Sequence, residues 1–158
     1  MQSIGGIALA AILGFFSPKD DPNDPRAKFD AERTALQQLF GFGSSRSAEH
    51  GLGPIWGFYS GDESVRVWLN GEATGTRVEN VKLSIVKMRD QPVNEFAFTA
   101  ARKLFERYVP DLVGQERHIL ETCEGYKAQP RWSFIFHCRK GPNADEFTYE
   151  FQTNRMTE

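Results

Sequence analysis

The chain has no marked excess of charge of either sign, few cysteines and no nucleophile motif, and each of these absences excludes a class of function. Nineteen basic residues stand against 21 acidic ones, a net charge of −2, so the cationic field that nonspecific nucleic-acid binding relies on is missing. Nucleic acid is not an expected partner. The cysteines number two, Cys123 and Cys138, and together with His118 and His137 they lack the short CxxC or HxxxH spacing of a zinc site. The serine elbow GxSxG does not occur, and the GxG at Gly41–Gly43 follows a helical pattern rather than a strand, so neither a hydrolase nor a dinucleotide motif is satisfied. No catalytic residue, metal or cofactor is assigned.

Long apolar runs are also scarce, apart from one at the start of the sequence. "IGGIALAAILGFF", Ile4 to Phe16, carries no charge, and the first charged side chain is Lys19. At about 1.5 Å per residue, the uncharged residues 1–18 reach about 27 Å as a helix, a marginal span of a hydrocarbon core about 30 Å thick. A cleaved signal would need a basic start and small residues before the cut. Met1, Gln2 and Ser3 supply no basic group, and Phe15 and Phe16 occupy the cut position. The segment therefore reads as an uncleaved anchor. Gly6, Ala10 and Gly14 fall four apart on one helical face, where small side chains let another membrane helix approach closely.

Residues 19–28 follow as a linker rich in proline and aspartate, extended because proline fixes φ and removes a backbone donor. Positive charge sets membrane topology, and Lys19, the one lysine next to the apolar segment, gives a weak preference for a globular part outside the cytoplasm. In that setting Cys123 and Cys138 are expected to form a disulfide, which would contribute about 3 kcal/mol.

Residues 29–158 read as one α+β domain, an antiparallel sheet with helices packed on it, in the order helix, three strands, helix, then two or three strands. Asp24 and Pro25 offer a helix start, with Phe29, Leu36, Leu39 and Phe40 as its apolar stripe. Alternation marks strands around Trp56–Ser60, Val65–Leu69 and Val81–Ile85. A second helix carries Phe96, Ala100, Leu104 and Tyr108 and stops at Pro110. "RHILETCE" reads as a strand, with a short helix as the alternative. "RWSFIFHCR" and "EFTYEF" form a hairpin in which Cys138 opposite Phe147 places Phe136 against Tyr149 and Phe134 against Phe151.

Two places carry candidate binding residues. The segment Gly41–Gly53 reads as a loop that gathers Arg46 and His50 among serines, suited to a partner or an anion. Trp68, beside Arg66, sits on the polar side of a strand, a setting in which Trp and Arg act as interface anchors unless a helix covers that side. The expected function is that of a non-enzymatic, membrane-anchored extracytoplasmic interaction module, an accessory subunit of a membrane protein complex. Its expected partners are another membrane protein and, through the N-terminal helix, the bilayer; if bacterial, the domain is periplasmic. The alternatives are a small hydrolase using the Ser/Arg/His loop 41–53 and a protein that binds an apolar ligand between helix and sheet.

Overall fold

A computed structural model describes residues 24–41, 44–50, 53–127 and 131–153, with residues 44–50 described by their backbone. The apolar segment 1–18, with Gly6, Ala10 and Gly14, and the first part of the linker lie outside the described residues. Asp24 caps a short 3₁₀ turn, Pro25–Ala27, by accepting from the Arg26 N–H, with Pro25 in the first position where its missing donor costs nothing. Helix α1 begins only at Phe29 and runs Phe29–Phe40, ending on Gly41 in the left-handed conformation that a residue without Cβ adopts freely.

The sheet has seven strands: β1 (Ser44–His50), β2 (Gly53–Tyr59), β3 (Val65–Gly71), β4 (Val78–Met88), β5 (Tyr126–Lys127), β6 (Trp132–Lys140) and β7 (Ala144–Thr153). Their order across the sheet is β1-β2-β3-β4-β7-β6-β5, and each neighbouring pair is antiparallel. Helices α2 (Glu95–Tyr108) and α3 (Glu116–Thr122) lie between β4 and β5 in the chain. This is the α+β antiparallel architecture that the alternation implies. The β6–β7 register agrees as well, with Cys138 opposite Phe147, Phe136 opposite Tyr149 and Phe134 opposite Phe151.

Three expectations are corrected. Residues 44–50 form strand β1 rather than part of a loop, and the meander has four strands rather than three. "SSRSAEH" has no apolar alternation, so the strand is imposed by backbone pairing with β2. "RHILETCE" belongs to helix α3: the residues it buries are Glu116, Ile119 and Leu120, the i, i+3, i+4 set of a helical face. Phe96, placed on the apolar stripe of α2, is 41% exposed, and the buried stripe instead runs through Ala97, Ala100, Ala101, Leu104, Phe105 and Tyr108.

All three described α-helices pack on one face of the sheet. Phe105 of α2 sits at the centre of that layer, its ring edge-on to Phe134, Tyr149 and Phe151 at centroid distances of 5.2, 5.7 and 5.7 Å. Val67, Leu69, Val81 and Leu83 complete the floor beneath it, fully buried. Helix α1 closes the β2–β3 side through Leu36 and Phe29. On the other side α3 is bound to the sheet by the Tyr149 hydroxyl, which donates to the Glu116 carbonyl at 2.8 Å. A disulfide joins Cys123 to Cys138, with Cα atoms 5.5 Å apart. Cys123 ends α3 in the left-handed conformation, φ 55°, a place where glycine is ordinarily favoured. Cysteine stands there because its sulfur ties the helix end to β6.

Candidate partner-binding face and the base of the tether

Alternation along each strand decides what the opposite face of the sheet carries. Tyr59, Arg66, Ser84, Thr148 and His137 form one row across β2, β3, β4, β7 and β6; Gly57, Trp68, Lys82, Glu150 and Ile135 form the next. A third row holds Ile55, Asn70, Asn80, Gln152 and Ser133. No described helix crosses these rows.

The aromatic end of this face is built around a glycine. Trp68 is half-buried and meets the Tyr59 ring edge-on at 5.2 Å. A Cβ at Gly57, its cross-strand partner, would stand 2.7 Å from the Tyr59 hydroxyl and 2.8 Å from Trp68 Cζ3. The two rings therefore occupy the space that the missing side chain leaves, as aromatic residues do when they cover a strand glycine. Arg66, alongside, donates through Nε to the Glu63 carbonyl at 3.1 Å, while its guanidinium stands 3.8 Å from the Glu63 carboxylate. That leaves the guanidinium half in solvent and only weakly engaged.

The other end is polar and already satisfied. Glu150 is 6% exposed, and its carboxylate receives Lys82 at 3.7 Å, His137 Nε2 at 3.0 Å and the Gln152 amide at 3.0 Å. Beside it Ser84 and Thr148 share a hydrogen bond of 3.3 Å, and Asn70 donates to Asn80. Sequence reasoning singled out Trp68 and Arg66 but missed Tyr59, Gly57 and Glu150. The hairpin alternation already placed Glu150 on this side, but nothing local marked it as the centre of an ion cluster drawn from three strands.

Arg46 and His50 fall on β1, at the register positions opposite Gly57 and Gly53. They belong to a strand edge, not to a pocketed loop. In the register of β1, Ser45 pairs with Phe58 and His50 with Gly53. Among the described residues no group of three or more His, Cys, Asp or Glu side chains could hold a metal ion. His137 is engaged by Glu150 on the face opposite the disulfide.

The base of the tether is a second organised region. Of the segment assigned as linker, residues 24–28 are described, and they are docked on the domain. Asp24 is 8% exposed and holds Arg26 and Arg131, each at 2.8 Å. Burial works to raise the Asp24 carboxyl, but the hydrogen bonds from Arg26 and Arg131 outweigh it and hold it at about 2. Arg26 also donates to the Arg107 carbonyl at 2.6 Å. Next to it, fully buried Glu32 of α1 is clasped by Arg107 through two bonds of 2.6 Å and accepts from the Tyr108 hydroxyl. Burial, reinforced by the Glu32 charge, pushes the Tyr108 phenol well above its ordinary range, so it remains a donor.

The class this defines is a disulfide-linked α+β domain whose described helices all lie on one face of its sheet, the other face carrying none of them. Against known proteins the chain matches no family model, no curated protein and no solved structure.

Proposed function

We propose that this protein is a membrane-anchored interaction module whose globular domain lies outside the cytoplasm and docks a membrane protein partner, as an accessory subunit of a complex. The observation that carries this reading is the sheet face around Trp68. Its half-buried indole, the adjoining Tyr59 and the weakly engaged Arg66 combine the residue types that concentrate binding energy at interfaces, and no described helix occupies the space above them. The disulfide supports an oxidising compartment. Among the described residues no helix is long and apolar enough to cross a membrane, so the anchor is assigned to residues 1–18, where Gly6, Ala10 and Gly14 would face the partner's own helix.

Affinity purification of the full chain in mild detergent, followed by mass spectrometry, tests this. A defined membrane protein should copurify with the native chain and be lost with Trp68→Ala/Arg66→Glu, while the variant stays folded and membrane-bound. Recovery of the same partner by the variant would overturn the assignment of the face. Release of the native chain into the soluble fraction without detergent would overturn the anchor.

A second reading has one observation in its favour. A groove of about 730 Å³ opens between the first turn of α2 and the β3–β4 edge, with Val65, Ile85 and Ala97 as its floor and Pro92 and Val93 at its rim. That volume falls in the range of small-ligand sites. Native mass spectrometry of the purified protein would reveal a retained apolar ligand, and a ligand-free mass would remove the reading.

A further inference from the structure

The end of the domain from which the tether leaves carries two like charges placed face to face. Lys28 and Arg77 are partners in an antiparallel bridge between the start of α1 and the turn 72–77. Residues directly opposite in such a bridge have Cβ atoms roughly 5 Å apart, and like charges there repel. Both side chains are exposed, and neither forms an ion pair with a described residue, although Glu72 and Glu79 are close in the chain. Of the carboxylates around this end, Asp24 is committed to Arg26 and Arg131 and Glu32 to Arg107 and Tyr108, while Glu72, whose backbone N–H donates to the Arg77 carbonyl at 2.9 Å, makes no ion pair with either cation. Among the described residues the pair thus has no counter-ion that would turn its repulsion into attraction.

The tether decides which anion can reach it. Asp24 is fixed to the domain by its ion pair with Arg131, four residues before Lys28. Between Asp24 and the uncharged segment 1–18 stand residues 19–23, which fully extended cover at most about 18 Å. A domain anchored by that segment holds this end, where α2 and β7 finish and β4 and β6 begin, against the bilayer surface. We infer that Lys28 and Arg77 together bind the phosphates of anionic phospholipid headgroups and so orient the domain, turning the opposite end of the sheet away from the membrane. The inference rests on the anchored reading above. Basic groups near an anionic leaflet each add about 1 kcal/mol, or roughly fivefold in the docking equilibrium, and the effect fades beyond a Debye length.

The test uses the full chain with vesicles of phosphatidylcholine alone or with one third phosphatidylglycerol, followed by sedimentation and amide hydrogen exchange. Residues 24–28 and 72–79 should exchange more slowly in the phosphatidylglycerol vesicles than in the neutral ones. That protection should fall more than tenfold in Lys28→Gln/Arg77→Gln or in high salt. The variant removes a repulsion, so the fold and disulfide are expected to persist, and exchange in the α2–β7 core reports directly on that. Equal exchange in the two vesicle types, or protection retained by the variant, would overturn the inference. Equal protection by inorganic phosphate added to neutral vesicles would overturn the lipid as its source. If the chain sediments only with phosphatidylglycerol vesicles and depends on the two cations, the anchor fails and the headgroup site stands. If it sediments with neither, both fail.

Discussion

The two faces of the sheet are made from the same strands, residue by residue in alternation, yet they hold together by different physics. On the helix side, aromatic and branched side chains exclude water, and Phe105 alone touches three rings. Its burial is worth about 2–3 kcal/mol, and removal also leaves a void. On the other side, cross-strand pairs do the work: Trp68 on Tyr59, Ser84 with Thr148, and Lys82 and His137 on Glu150. Such pairs contribute tenths of a kcal/mol up to about one each. The first face is specified by what it must hide from water, and the second is free to be specified by what it contacts.

The contrast can be broken at several points, and the largest effect is expected in the helix layer. Phe105→Ala should lower unfolding free energy by about 4 kcal/mol, the sum of lost transfer energy and an unfilled cavity. Urea denaturation measures it, and a loss of about 1 kcal/mol would mean that the layer collapses around the hole. Next is the disulfide: Cys123→Ser or added reductant should cost about 3 kcal/mol through the entropy of an opened chain, with the first loss of exchange protection in α3.

The tether base gives an intermediate effect that depends on pH. Asp24 has a folded value of about 2 against an ordinary 3.8, so its folded pKa is depressed. The stabilisation, about 2 kcal/mol, is therefore complete above about pH 4 and is lost as pH falls toward 2. Acid titration of the native chain against Asp24→Asn should show this difference, and parallel curves would place the stabilisation elsewhere. The smallest effect is expected on the open face. Trp68→Ala should cost about 1 kcal/mol or less, since it removes one edge-to-face contact rather than a core residue. A loss near that of Phe105→Ala would show that the face is covered in the native protein.

How much of this was legible beforehand depends on whether the signal is local. The β6–β7 register was legible because two strong alternations share one tight connection, and a slip by one residue would turn Phe134 and Phe136 into solvent. The disulfide was expected from compartment reasoning, and the structure joins the same two residues. Strand β1 was not legible, since a polar edge strand owes its conformation to backbone pairing and "SSRSAEH" carries no trace of that. The helix at Glu116–Thr122 was hidden by its length, as seven residues make a pattern that fits either period. Trp68 and Arg66 stood out as polar-side anomalies, whereas the role of Gly57 depends on two rings that only the fold brings to it.

By itself, the sequence determined the class of fold, the faces of most strands and the pairing of the final hairpin. Each follows from a periodicity of two or 3.6 read against the need to bury apolar surface. Tertiary structure alone decided that all three described helices share one face, that Glu32 and Asp24 become the buried hubs of ion pairs, and that Lys28 and Arg77 stand opposite each other. Those facts join residues between 49 and 107 positions apart, and local pattern carries no information over such distances.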